Sequence, residues 1–457
     1  MEGIGSVSKA NGLNIDQEEG KRLGKILKFI ISGAIGLFIF LAPVFDGTVP
    51  ILQLVNVVKG FFGDNLTVIA KVVATFMFAS LIFGKVFHVK FFEKLFEGDS
   101  KIKIGVYCVS VLFVAAVSFG FTPSFMLDER IGLKALTIGS TVFLTIAITG
   151  WAVILILNSG VVEFFGVLVE TVMRPLFKLP GFASVDAISS FVSSPSIGVY
   201  ITDRNYMNKL YTQREAFAVA TGFSVMSIGY MGVLCSMVGI EKYYGTILVA
   251  SLILVVILGA ITVRIPPISR IPDVYVDGTV QTEEQKKVTK YDNRFGEAVN
   301  AAVKRVDSLT VKSGGEALIN ALKFAFKIVG FAIPIVIIAL STVYYTPVFK
   351  IIGTPVAPIL QFLGMPGAKE IAPSTLIGLI EITLPTVTAS AYSLPDQSYF
   401  FVILLSAVQI IFLTECVNAI LASHFKATLP KLLLMFVIRT VIAIPLVALV
   451  THIVFGF

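Results

Sequence analysis

Charge is scarce in this sequence: 14% of its 457 residues are Asp, Glu, Lys or Arg, while 56% are hydrophobic. Soluble domains carry about 25% charged residues, so the balance excludes a soluble globular protein and leaves a polytopic all-α membrane protein. Cysteine is scarce too. Cys108, Cys235 and Cys416 lie far apart, each in an apolar run, and form neither a disulfide framework nor a metal pair. They read as small buried hydrophobes. The three histidines, His88, His424 and His452, sit near segment ends and read as boundary residues, so no metal site is expected. There is no Walker loop, no H-E-x-x-H and no Ser–His–Asp set. These absences argue against an enzyme, a primary pump or a resident cofactor. The net charge of +7 does not imply a nucleic-acid partner, because the basic residues lie between apolar segments, where topology accounts for them.

What the sequence does have is long apolar runs, thirty-eight phenylalanines and a single tryptophan, Trp151, a composition suited to a lipid-facing exterior. A helix crossing ~30 Å of hydrocarbon needs roughly 20 apolar residues. On that criterion about nine spans are expected: Ile26–Phe45, Leu66–Phe87, Lys103–Phe121, Ala135–Leu157, Arg214–Met237, Tyr243–Val263, Leu322–Tyr345, Tyr399–Ser423 and Lys431–Val454. The N-terminal stretch is long, polar and partly acidic, unlike a cleaved leader, so the first span reads as a retained anchor. Loops rich in Lys and Arg alternate with poor ones along this series. The positive-inside rule then puts the N-terminus in the cytoplasm and the C-terminus outside.

Two segments fit neither a span nor a solvent loop. SSFVSSPSIGVYITDRN (Ser189–Asn205) and STLIGLIEITLPTVTAS (Ser374–Ser390) are apolar but broken by prolines flanked by hydroxyls. They occupy matching places. In the first half a span is followed by the amphipathic VVEFFGVLVETVMRPLFKLPG, the Ser-rich segment and two more spans. In the second half a span is followed by TPVFKIIGTPVAPILQFLGMPG, the Thr-rich segment and two more spans. Glu163 and Glu170 are expected on the wet face of the first amphipathic stretch.

The crossing count between the two units is odd, so they should be inverted in the membrane, and the odd segments read as two re-entrant helical hairpins. Interrupted hydrophobic segments at corresponding places of inverted units point to a transporter binding site. Non-helical backbone at membrane depth persists only inside protein or beside a wet cavity. The chain thus divides into a cytoplasmic tail at 1–25, a three-helix scaffold region at 26–134 that would also serve homo-oligomer contact, and a first repeat at 135–264 with its hairpin at about 183–203. A cytoplasmic linker at 265–315 leads to a second repeat at 316–457 with its hairpin at about 370–392.

Polar groups at depth are costly and commonly functional. The first unit offers mainly hydroxyls: Ser193, Ser194 and Ser196 around the expected helix break at Pro195, then Thr221, Ser224 and Ser227, with Asp186 at the start of the hairpin. The second brings Glu381, Thr383, Thr386 and Thr388 around Pro385, then Thr414, Glu415 and Asn418 in the eighth span. Such a set suits a small polar solute held by hydrogen bonds. Glu381 and Glu415 are the candidates for coupling to a sodium ion or a proton. The competing reading of both carboxylates is structural, as partners of a broken backbone nearby. Small residues at the Thr221/Ser224/Ser227 stripe would equally serve close helix packing.

Over ISSFVSSPSIGVYITDRNYMNKLYTQREAFAVATGFSVMSIGYMGVL (Ile188–Leu234) the sequence resembles the bacterial YjiH family of membrane proteins, which carry nucleoside-recognition (Gate) domains. The order of hairpin, TQREAFAVATG link and small-residue helix is similar to that of concentrative nucleoside transporters. Gate units of ferrous-iron transporters carry a cysteine in the hairpin motif. SSPSIG has none, which argues against iron. The resemblance implies a secondary active transporter of the bacterial inner membrane, working by alternating access on a nucleoside or nucleobase. The alternatives are an amino-acid-derived or small peptide solute, or a non-transport membrane scaffold that retains the hairpins.

Overall fold

The computed structural model describes residues 3–42, 44, 48–96, 99, 101–121, 124–192, 195–286, 293–421 and 423–456. Ser193 and Ser194, and the side chains of Ser196, Thr414, Glu415 and Asn418, lie outside the described residues.

Among the described residues seven helices are long and apolar enough to cross a membrane: Gly20–Leu41, Thr67–Val86, Lys101–Phe119, Glu129–Leu157, Glu241–Thr262, Val311–Tyr345 and Leu429–Phe455. A helix bonds most of its backbone polar groups within itself, as a hydrocarbon solvent requires. Pro334 and Pro445 sit inside two of them without ending the helix. Among the described residues the only strand-like pairing is one bridge, Val274 to Val280. Large apolar side chains remain exposed along these helices, including Val249, Leu252, Ile253 and Val256 on one and Val437, Val441 and Leu449 on another. In water such surface would be a liability; against lipid it is the expected exterior.

The remaining two expected spans are not continuous helices. Arg214–Met237 divides into helix Gln213–Gly222, an extended stretch, and helix Ile228–Val238. Tyr399–Ser423 divides into helix Asp396–Gln409, a break at 410–412, a π-helical turn Leu413–Val417 and a short helix Asn418–Leu421. Local chemistry sets the first interruption. Thr212 and Glu215 form a reciprocal capping box that starts the first half, and Ser227 accepts from the Tyr230 amide to start the second. The second interruption is strained: Ile410 has φ of 66°, a conformation that opposes a β-branched side chain. Both breaks carry the same tight turn, with Val225 N donating to Phe223 O and Ile411 N to Gln409 O, each at 2.8 Å.

Each interrupted helix follows a helical hairpin. The first is Ala183–Val192 with Pro195–Met207. The second is Ala368–Ile371 and Ser374–Ile377, a turn at 378–383, then Leu384–Ala389. The prolines expected to break these helices instead begin the second arms, with Pro195 first in its helix and Pro385 second in its own. At a helix start the missing amide hydrogen costs nothing. The element order of amphipathic helix, hairpin, interrupted helix and long helix therefore occurs twice.

The buried core has two parts. One joins Thr67–Val86 and Lys101–Phe119 to Glu129–Leu157 and Val311–Tyr345, through residues such as Met77, Tyr107, Ile138 and Val336. The other gathers both hairpins, both interrupted helices and the last helix. The second hairpin packs closely on its interrupted helix at Gly378: a Cβ there would lie 2.8 Å from Gln409 Oε1 and 3.3 Å from Pro385 Cγ, so the Gln409 side chain would have to shift. Gly378→Ala should cost about 1–3 kcal/mol, read as a lowered melting temperature of the purified protein.

Candidate functional site

Each hairpin touches the break in its own unit. Ser190 Oγ of the first lies 3.5 Å from Val225 O. Leu379 O of the second accepts from Leu413 N at 2.7 Å. Each also reaches the other unit. The second arm of the first hairpin packs on the far half of the second interrupted helix, and Asp203 accepts from the His424 amide at 2.7 Å. The turn of the second hairpin meets the far half of the first interrupted helix through Thr383 and Tyr230, whose hydroxyls are 2.6 Å apart.

That last contact heads a chain of hydrogen bonds. Thr383 donates its amide to Glu381 Oε2 at 2.7 Å and its hydroxyl to Glu381 Oε1 at 3.0 Å. Its single hydroxyl proton is thereby used, so the Tyr230 hydroxyl is the donor toward Thr383. Glu381 is 7% exposed, a carboxylate inside the protein at the crossing of the two units. Thr386 and Thr388, one turn further on, are fully buried, and among the described residues their hydroxyls have no partner.

A cavity of about 400 Å³ leads to this point between helices Glu129–Leu157, Val311–Tyr345 and Ile228–Val238. It runs from Asn158 and Ser313 at helix ends to Thr149, Ser227 and Tyr230 beside the first break. Beyond it lies a gap of about 30 Å³ bounded by Phe331, Glu381 and Thr383. Tyr230 lines both. Cavities of the larger size suit small-molecule ligands, and its Thr, Ser, Asn and Tyr lining supplies donors and acceptors.

The expected site residues sort by position. Glu381, Thr383, Thr386 and Thr388 gather at the second hairpin, beside the first interrupted helix. Thr221 donates to Phe217 O within its own helix at 2.7 Å, and Ser227 serves as a helix cap. Ser224 is buried in the first break. Asp186 lies at the outer end of the first hairpin, accepting from Tyr211 Oη at 2.7 Å and Asn205 Nδ2 at 3.0 Å, which ties its arms together. Glu163 pairs with Arg305 at 3.3 Å. Glu170 is buried rather than wet, because Gly181 folds onto its side chain.

Sequence reasoning passed over Tyr230, Thr149, Asn320, Gln409 and Arg439. Arg439 carried a readable signal, a lone arginine deep in an apolar run. Tyr230 and Thr149 carried none, since neither type is unusual in a membrane helix.

A family model described as nucleoside recognition (Gate) matches residues 139–241, which hold the first hairpin and the first interrupted helix. The uncharacterized protein BpOF4_10220 of Alkalihalophilus pseudofirmus is 30% identical over 472 residues, covering 96% of this chain and 97% of that protein. Two solved structures align over most of their length at 13% identity. CNTnw in an inward-facing substrate-bound state gives a TM-score of 0.41, covering 94% of this chain and 90% of that one. A substituted CNTnw in an outward-facing state gives 0.40, covering 93% and 89%. The chain therefore belongs with BpOF4_10220 in one family of multi-pass membrane proteins, and it carries a nucleoside-recognition (Gate) domain.

Proposed function

We propose that this protein is a secondary transporter of a small polar solute, a nucleoside or nucleobase, held where the second hairpin meets the first interrupted helix. One observation carries the reading above the others: the Tyr230–Thr383–Glu381 chain joins the two units at the inner end of a solute-sized, largely apolar cavity that presents Thr149, Ser227 and Tyr230 there. A planar base with ring nitrogens and exocyclic oxygens complements such a set, stacking on the Tyr230 ring while its polar edge reaches the hydroxyls. The nucleoside-recognition match over residues 139–241 supports the same class.

Alternating access follows from the same contact. The Tyr230–Thr383 bond closes the passage between the cavity and Glu381, and a movement of the hairpin relative to the helix opens it. Glu381 is the coupling group, exchanging a proton or a sodium ion as the passage opens. The positive-inside distribution supports a bacterial inner-membrane location with the N-terminus in the cytoplasm.

The reading is tested by uptake of labelled nucleosides and nucleobases into proteoliposomes under imposed sodium and proton gradients. Saturable, gradient-stimulated uptake of at least one is expected, and silence across both panels would reject it. Tyr230→Phe removes the donor to Thr383 while keeping the ring. Uptake of the identified solute should fall about 5–10-fold, the worth of one hydrogen bond, with thermal stability kept.

A further inference from the structure

Among the described residues Arg439 is the largest fully buried side chain, at 0% exposure within the last long helix. Among the described residues its hydrogen-bond partners are backbone carbonyls, with no carboxylate in an ion pair. Nε donates to Val408 O at 2.5 Å and Nη2 to Gly222 O at 3.4 Å, and Nη1 has no hydrogen-bond partner among the described residues. Those two carbonyls have one thing in common. Gly222 is the last residue of helix Gln213–Gly222, and Val408 is the penultimate residue of helix Asp396–Gln409. Both are first halves of interrupted helices, one from each unit.

The end of a helix presents unbonded carbonyls and carries about half a negative charge. Two such ends converging inside the protein amount to about one negative charge. They repel each other unless a cation sits between them. A buried guanidinium has the converse problem, since it is costly without compensation. The two costs cancel only when the groups meet. Thr440, next in sequence, accepts from Gln409 Nε2 at 2.8 Å, and Gln409 also donates to Thr375 O of the second hairpin at 2.7 Å. Consecutive residues of the last helix thus secure the crossing and the second hairpin together.

We infer that Arg439 is a built-in cation that holds the two interrupted helices at their crossing. It is a positioning residue, acting through the backbone ends it joins, and the inference stands whatever solute is carried.

The experiment compares thermal melting of purified wild-type protein with Arg439→Lys, Arg439→Met and Arg439→Ala. Lys, which keeps the charge, should hold most of the stability. Met, which keeps the bulk, should lower the midpoint by more than about 5 °C. Tens of millimolar guanidinium should restore at least half of the Ala loss, while urea, its neutral counterpart in shape, should not. Met melting with wild type, or urea matching guanidinium, would overturn the inference. Should the Ala variant not purify, Lys against Met decides: equal midpoints reject the role of charge, and a clear gap in favour of Lys upholds it.

Discussion

Glu381→Gln abolishes gradient-driven uptake while leaving the fold intact: that is the largest functional effect the site leads us to expect. The substitution keeps size and shape. A glutamine oxygen still accepts from the Thr383 amide, and its NH2 can donate to the Thr383 hydroxyl, which then turns its own proton toward Tyr230. Only the ionisable group is lost. A neutral amide can neither take up a proton nor balance a sodium ion, so gradient-driven uptake should fall to the level of protein-free vesicles. Exchange of labelled for unlabelled solute across the membrane needs no net movement of a coupling ion and should survive. Paired measurement of the two modes in proteoliposomes checks this. Gradient-driven uptake at the wild-type rate would remove Glu381 from coupling and leave it a structural cap for the turn at 378–383.

The parts of the fold that were legible in sequence are those governed by length and by local chemistry. Seven uninterrupted spans follow from run length because lipid leaves helices few alternatives. The hairpins announced themselves through prolines and hydroxyls inside apolar segments. The interruptions did not. AFAVATGFSVMSIGYMGVLCSMV holds hydroxyls at Thr221, Ser224 and Ser227 but no proline or charge, and what opens it at 223–227 includes a contact with a distant hairpin. IIFLTECV likewise gives no sign that Ile410 will adopt a positive φ, since a β-branched residue is locally the wrong choice there. Strain of this kind persists only where surrounding structure over-determines it. Tyr230 and Thr383 lie 153 positions apart, so their pairing belongs to tertiary structure alone. Arg439 is different. The rule that singled out Glu381 and Glu415 as ionisable groups at depth applies to it equally.

The stretch after Thr262 reads in sequence as a solvated linker, yet part of it is built into the first unit. Helix Arg294–Val306 buries Ala298, Ala302 and Val306 against Val161–Phe177 and the N-terminal helix. Ahead of it, Asp273 pairs with Arg214 at 2.8 Å, Asp277 pairs with Lys209 at 2.7 Å, and Gln213 N donates to Val274 O at 2.8 Å. Lys209 also holds Asp277 well below the usual carboxylate range, because its ammonium and the Thr279 donors favour the charged form. The segment thus grips the start of the first interrupted helix, and Glu215 is where the grip is tightest. Its side chain is fully buried and accepts from Arg174 Nη1 at 2.6 Å, the Thr212 amide at 2.9 Å and Gln281 Nε2 at 3.0 Å.

Glu215→Ala removes all three acceptor contacts at once. It leaves the largely buried Arg174 without its counter-charge and Gln281 without a bond for its amide, while the helix loses half of its capping box. Breaking a buried ion pair from one side costs about 3–5 kcal/mol, so this should be the most destabilising single substitution outside the membrane core. Melting should shift down by several degrees, and limited proteolysis should open new cleavage between residues 271 and 286 as the segment detaches. Glu215→Gln keeps an oxygen for the Thr212 amide and should show a smaller shift with slower cleavage. An alanine variant that melts with wild type and resists protease would mean that the segment is held by Asp273 and Asp277 alone, and that the carboxylate at position 215 serves only to start its helix.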